Sequence, residues 1–335
     1  MKKVAVVGGI PQPVGGVTTF LRRVLVNEDA VTHFFDMYPG RQKDVPSEYK
    51  GKYICCKLKL FTWLNLLFFL LLPGEKVVHF NFSTPRALLV LGGLPKCGKK
   101  WILMLHHGSL DSGSLGGLSG WIIKRKMDIV IAMNESQLTW YSKFLSRERI
   151  KTMSSYSRPA SPDMGKDLLV SLKLSEARAS YNKVIVCSGY PTAIYRHLLA
   201  IELMDIRVDD FLFCCIYGDG ADLSKIEVMA AARDNVMLCK GLNESQFSAL
   251  LMGSDLYLRL NQKDSFGIAV GDAINFGVPC VATNVCRRYR GAVLVECDIN
   301  RFELSHIVSK VFAKSLDLVL ESQGVEEFSY KALGV

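Results

Sequence analysis

The stretch SDLYLRLNQKDSFGIAVGDAINFGVPCVAT (residues 254–283) holds two apolar runs of strand length, LYLRL and PCVAT, around a glycine-punctuated segment that reads as helix. The runs are rich in Leu, Val and Tyr and lack polar alternation. That pattern belongs to strands covered on both faces, as in a parallel sheet flanked by helices. Two acids, Asp264 and Asp272, stand eight positions apart around Phe266-Gly267, in a segment otherwise fit for burial. Carboxylates in such a place require either a capping role or a ligand.

Working outward, the same rhythm runs along nearly the whole chain. KVAVVGG, KVVHFNF, WILMLHHG and DIVIAMN lie on one side of residues 153–182, and KVIVCSG, FLFCCIYG, VMLCKG and GAVLVEC on the other, with helix-length patterns between them. The expectation is an α/β protein of two Rossmann-like doubly wound domains with an interdomain cleft, since 335 residues exceed what one core ordinarily holds. The rhythm breaks in the Ser- and Pro-rich SSYSRPASPDMGK. This places the domains at 1–165 and 166–322, with 323–335 as a terminal segment.

Glycines punctuate the starts of two helices. In VVGGIPQPVGGVTTFLRRVL a strand ends at Gly8-Gly9, and Gly15-Gly16 precede a helix whose free N–H groups suit a phosphate. The spacing is not GxGxxG and no acid follows a second strand, which argues against NAD. The second glycine pair, Gly218 and Gly220, reads as a turn.

Composition excludes several classes. With 49% apolar residues the chain is not disordered. The apolar run in MKKVAVVGG is too short for a signal peptide and reads as a first strand, so a cytoplasmic location is expected. The ten cysteines show no CxxC pair and no histidine at ligand spacing, so they read as reduced core residues without a metal. Charge is lopsided: residues 1–170 carry 24 Lys+Arg against 12 Asp+Glu, and 171–335 carry 17 against 20. The basic half suits an anionic partner. Nucleic acid is disfavoured, because the basic residues lack interleaved aromatics. LKLFTWLNLLFFLLLPG contains an apolar helix near residues 60–72, too short to span a bilayer. With Lys57, Lys59 and the clusters KCGKK and KRK it reads as peripheral contact with an anionic membrane, or as a core helix.

Together the pieces YGDGAD, DNVMLCKGLNESQFSALLMGSDLYL, DSFGIAVGDAINFGVPCVATN and GAVLVECDI resemble the C-terminal domain of the GT-B glycosyltransferases, in particular the large retaining GT4 family. The GGV loop, LMLHHG and the final FSYKALGV resemble that family's other landmarks, so the resemblance covers essentially the whole chain. Where the family carries Glu-x7-Glu, this chain has Asp264-x7-Asp272. The resemblance implies retaining, metal-independent transfer from a UDP- or GDP-linked sugar to a glycan or lipid-linked acceptor, as in polysaccharide or lipopolysaccharide assembly. It needs no cofactor beyond the nucleotide-sugar donor, and it would act on the cytoplasmic face of the inner membrane.

The site residues follow by the same resemblance. Asp272, at the start of its helix, would hold the ribose, and Asp264 would face the donor sugar. Phe266, Gly267 and Ile268 would approach sugar and phosphate, with Gly15 and Gly16 opposite. His107, or its rival His106, would lie near the anomeric carbon. Two positions depart from the family. An Arg and a Lys that grip the diphosphate are replaced by Gly189 and Ile194, and Arg196, Arg259, Lys263 or Arg288 could substitute, with Arg259 and Arg196 favoured. The same departure motivates an alternative, a noncatalytic subunit that supports a partner enzyme.

Overall fold

A computed structural model describes residues 3–11, 15–38, 45–73, 77–107, 110, 116–160, 168–314 and 327–335. Gly108 and the second part of the Ser/Pro-rich stretch, residues 161–166, lie outside them. The chain divides into two compact units, residues 1–157 with 326–335, and residues 158–325.

The first unit is built on β1 (Val4–Gly8), α1 (Gly16–Asn27), β2 (Val31–Asp36), β3 (Lys52–Ile54), α2 (Lys59–Leu71), β4 (Val77–Phe82), α3 (Leu88–Gly93), β5 (Lys100–Leu105), α4 (Gly116–Lys126), β6 (Ile129–Ala132), α5 (Glu135–Ser142) and β7 (Ile150–Thr152). Its seven strands lie in the order β3-β2-β1-β4-β5-β6-β7, every pairing parallel. Val7, Phe80, Leu103 and Val130 from the sheet pack with Leu66, Phe69 and Leu70 of α2 and Ile122 and Ile123 of α4 in one core. The last described residues return to this unit. Phe328 N–H donates to the Tyr156 carbonyl at 2.7 Å, and the Tyr330 hydroxyl lies 2.8 Å from His79 Nδ1.

The second unit contains α6 (Leu168–Ser180), β8 (Lys183–Gly189), α7 (His197–Leu203), β9 (Asp210–Ile216), α8 (Leu223–Ala231), β10 (Val236–Lys240), α9 (Glu244–Met252), β11 (Leu256–Arg259), α10 (Ile268–Asn275), β12 (Cys280–Thr283), β13 (Ala292–Val295) and α11 (Arg301–Phe312). Its six strands, again all parallel, run β10-β9-β8-β11-β12-β13. The strands LYLR and CVAT of the opening stretch are thus neighbours, and both are buried. Asn243 and Asn300 start α9 and α11 with reciprocal capping boxes, which satisfy the free N–H groups of each first turn.

The order of strands in each sheet reverses once, between β1 and β4 in the first unit and between β8 and β11 in the second. At such a switch point the flanking connections leave in opposite directions and open a crevice beyond the carboxyl ends of the strands. Both units are therefore doubly wound, and in each the crevice has a fixed place.

Candidate active site

In the second unit the switch point is bridged by a side chain. Arg259 closes β11, and its Nη1 donates to the Ser188 carbonyl of β8 at 3.2 Å. Its Nε donates to Asp264 Oδ2 at 2.9 Å and its Nη2 to Oδ1 at 3.3 Å, a two-pronged grip on the carboxylate. From the far side, Arg288 Nη1 donates to Asp264 Oδ2 at 2.8 Å, while its Nε donates to the Thr283 carbonyl at 2.9 Å. The side chains of Asp264 and Arg288 are 9% and 1% exposed. Burial alone would push the Asp264 carboxyl up, but Arg259 first and Arg288 second outweigh it and hold the carboxyl well below the usual carboxylate range. The cluster carries two cations on one anion, so it keeps a net positive charge where water is largely excluded.

Directly after this cluster, α10 begins. Gly267 precedes it at φ +77°, a conformation costly for any residue with a Cβ. A Cβ there would also meet Arg288 Nη1 at 2.7 Å. Phe266 is buried edge-on against Tyr289 with ring centroids 4.5 Å apart, which fixes the loop, and Ile268 opens the helix. Helix N–H groups and two guanidiniums thus share one short segment, a combination suited to phosphate oxygens.

Of the residues singled out from sequence, the structure gathers Arg259, Asp264, Phe266, Gly267 and Ile268. Asp272 lies on the second turn of α10 and is 2% exposed, so it is not at the helix start as expected. The helix begins one turn earlier because Gly267 supplies the left-handed turn that launches it. Arg196 is not brought to Asp264. Its own left-handed backbone starts α7, and its guanidinium donates to the carbonyls of Cys297 and Ile299, the latter at 2.8 Å. The second arginine on Asp264 is Arg288, one of the substitutes raised by the sequence but not one of the two favoured.

The departure at Gly189 and Ile194 has a steric counterpart. A Cβ at Gly189 would strike the Tyr195 ring, and Arg259 lies over that ring at 5.2 Å. Ring and guanidinium fill the space beside Gly189, so the cation is supplied from β11.

Gly15, Gly16 and His107 belong to the first unit. Gly15 is the N-cap of α1 at φ −173°, and its carbonyl accepts from Thr18 Oγ1 at 3.1 Å. A Cβ would meet nothing within 4 Å at Gly16 and only Thr18 Oγ1, at 3.9 Å, at Gly15. Neither glycine is required by packing or by a left-handed backbone. The two histidines after β5 differ in surroundings. His106 Nε2 lies 3.0 Å from Asn81 Oδ1, its ring faces Phe20, and burial lowers its pKa to about 3, so it is a neutral structural group. His107 is exposed, and its carbonyl accepts from Gln137 Nε2 at 2.7 Å.

Sequence spacing gave no metal cluster, yet folding brings Cys187, His197 and Cys214 together. Their sulfurs lie 3.7 and 3.5 Å from His197 Nδ1, in the core beneath β8 and β9. A hydrogen bond donated to Cys187 and burial raise the Cys214 thiol, which keeps that sulfur protonated in the core. The cavities of about 420 and 250 Å³ in this unit line β9 and β10 and include neither Asp264 nor α10.

The basic clusters of the first unit are partly consumed internally. Lys96 pairs with Asp128 at 2.7 Å, Lys99 is buried with its ammonium on the Leu72 carbonyl at the end of α2, and Lys126 donates to the Leu94 carbonyl. No helix among the described residues is long and apolar enough to cross a membrane.

Two parallel α/β sheets with these strand orders, and a switch-point site in the second, define the GT-B fold class. Residues 176–323, which contain Arg259, Asp264, Asp272 and Arg288, match the family described as Glycosyl transferases group 1. Among solved structures, the chain is similar to HepE from Anabaena in complex with UDP-glucose, with 12% identity over 95% of this chain and 92% of that one and a TM-score of 0.70. It is similar also to a glycosyltransferase from Rickettsia africae ESF-5 (13%, 96% and 92%, TM-score 0.64) and to WaaG, a glycosyltransferase involved in lipopolysaccharide biosynthesis (14%, 93% and 91%, TM-score 0.59). At these identities the likeness is one of fold. No curated protein matches the sequence.

Proposed function

We propose that the protein is a GT4-like glycosyltransferase that moves a sugar, with retention and without a metal, from a nucleoside diphosphate sugar to a lipid-linked, polysaccharide or lipopolysaccharide acceptor. The observation that carries this reading is the Arg259–Asp264–Arg288 cluster at the start of α10, inside the segment that matches the glycosyltransferase family. The departing diphosphate gains one negative charge as the bond between sugar and phosphate breaks, beside the two it already carries. Arg259, Arg288 and the first N–H groups of α10 would stabilise that charge without reorganising, because Asp264 already holds both guanidiniums in place. Asp264 is thereby a positioning residue, in addition to the sugar contact that the family resemblance implies. Asp272 would take the ribose, while Gly15, Gly16 and His107 would act from the first unit.

The replacement of the usual Arg and Lys by Gly189 and Ile194 motivates a second reading, a noncatalytic subunit. Two well-held arginines at the switch point favour the enzyme. Neighbours bound to UDP-glucose make a uridine nucleotide the first donor to try. The test is release of UDP or GDP from a panel of nucleotide sugars incubated with the purified chain and membrane extract, with the anomeric configuration of the product read by NMR. Turnover with a retained configuration is expected. Binding of nucleotide without turnover under any acceptor would overturn the enzymatic reading, and an inverted product would overturn the retaining one.

A further inference from the structure

Helix α2 is apolar except at Lys59, Thr62 and Asn65, a composition that belongs in a core, yet only one of its faces is buried. Thr62, Leu66, Phe69 and Leu70 face the sheet, while Phe61, Leu64, Phe68 and Leu71 form a stripe that is exposed, Phe68 at 66%. Leu58, Leu60 and Leu72 are exposed at its two ends. Leu89 and Val90 of α3 are exposed as well, and α3 packs against α4, whose Leu118 and Trp121 are about half exposed. Single exposed leucines are ordinary, but a run of this kind over consecutive helices of one unit is not.

Charge of one sign borders the apolar surface. Lys57 and Lys59 stand at the start of α2, Arg86 precedes α3, and Lys124 and Arg125 end α4. The Arg125 guanidinium lies 5.6 Å from the Trp121 ring, a pairing of aromatic and cation suited to the headgroup layer. Basic side chains around an apolar stripe too short to span fit a bilayer with anionic lipid.

Between α2 and α3 the first unit holds a cavity of about 390 Å³. It lies at the carboxyl ends of β1, β2 and β4, the switch point of this sheet, with Gly8, Tyr38 and Asn81 on its floor. Lys59 and Trp63 of α2 form one wall and Val90 of α3, itself exposed, the other, so the cavity lies beside the apolar surface at the start of α2.

We propose that the outer faces of α2, α3 and α4 seat this unit on an anionic bilayer, and that the cavity between α2 and α3 receives the phosphate-bearing head of a lipid from that bilayer, with Lys59 against the phosphate. The second part deepens the reading of the acceptor as lipid-linked and rests on it. The lipid's tails leave past Val90 at the cavity wall and Leu89 beside it in α3, both exposed, so the head need not be lifted clear of the membrane to enter.

The test uses the full chain and no sugar donor, so its outcome is separate from that of the transfer assay. Sedimentation with phosphatidylcholine vesicles, with and without phosphatidylglycerol, should show binding that depends on the anionic lipid. The surface variant Phe61→Ser/Phe68→Ser, which removes no core contact, should reduce partition about ten- to hundredfold. A spin label on the phosphatidylglycerol head should quench Trp63, read as the difference between wild type and Trp63→Phe. Ala87→Phe, which fills the cavity, should abolish that difference while leaving partition unchanged. Equal binding to neutral vesicles, or an unaffected double variant, would overturn the membrane seat. Loss of partition in the double variant without head-label quenching of Trp63 would overturn the cavity assignment.

Discussion

Asp264→Asn tests the cluster most sharply, because Asn keeps the shape of the side chain and removes its charge. In the wild type the carboxylate compensates two guanidiniums, at 2.9 Å for Arg259 and 2.8 Å for Arg288, with all three side chains 12% exposed or less. Removing one partner of such an arrangement leaves buried charge unpaired, which costs about 3–5 kcal/mol. For a unit of this size that corresponds to a fall in Tm of about 6–20 °C. Differential scanning calorimetry would show it in the transition of the second unit. Replacing all three side chains together (Arg259→Met, Asp264→Leu, Arg288→Met) should recover much of the loss, since no charge is then stranded. The pH dependence follows from the depressed carboxyl: its contribution is complete above the unfolded value of about 3.9 and is lost as pH falls towards the lower folded value. It is therefore constant between pH 7 and about 5, and the Asn variant lacks the acid limb. A loss below about 1 kcal/mol in Asp264→Asn would refute the reasoning, because the carboxylate would then not be holding the arginines.

Gly267→Ala should cost about 1–3 kcal/mol through its left-handed backbone and weaken nucleotide binding at least about tenfold by displacing Arg288, checked by denaturation and calorimetric titration. Gly16→Ala meets no neighbour, so Tm should hold or rise by the equivalent of about 0.4–1 kcal/mol, while transfer falls if a phosphate approaches the loop. Buried His79, lowered to about 3 by burial, stays neutral in the fold, so its contribution is full above about pH 6.5 and is lost as pH drops towards 3, at up to about 1.4 kcal/mol per pH unit. His79→Gln should flatten that slope in urea titrations at several pH values.

Ten of the thirteen strands among the described residues were legible as apolar runs, because a strand covered on both faces needs apolar side chains at every position. The three missed are of another kind. β3 (KYI) and β7 (IKT) are short edge strands with exposed lysines, as edges require, and β2 (VTHFFD) mixes polar residues because Asp36 ends it in a local network with Tyr53 and Tyr38; an acid therefore does end the second strand, contrary to the reading from sequence. Within the site, Asp264 and Gly267 stood out because an acid and a glycine interrupt an apolar pattern. Arg288 was one of four candidate cations and not a favoured one, since it follows β12 among other basic residues in CRRYR and reaches Asp264 only through the pairing of β11 with β12. Arg196 looked equivalent in sequence, but its guanidinium is taken by backbone carbonyls that no spacing rule reveals. The same holds for Lys96, Lys99 and Lys126, whose charges read as surface yet serve Asp128 and helix ends.

The most direct test of the account is calorimetric titration of wild type, Arg288→Met and Arg196→Met with UDP, GDP and the corresponding nucleosides. One diphosphate should bind the wild type, Arg288→Met should weaken that binding about tenfold or more while nucleoside binding is unchanged, and Arg196→Met should have little effect. Equal diphosphate affinity in wild type and Arg288→Met would contradict the assignment of the Arg259–Asp264–Arg288 cluster as the diphosphate seat.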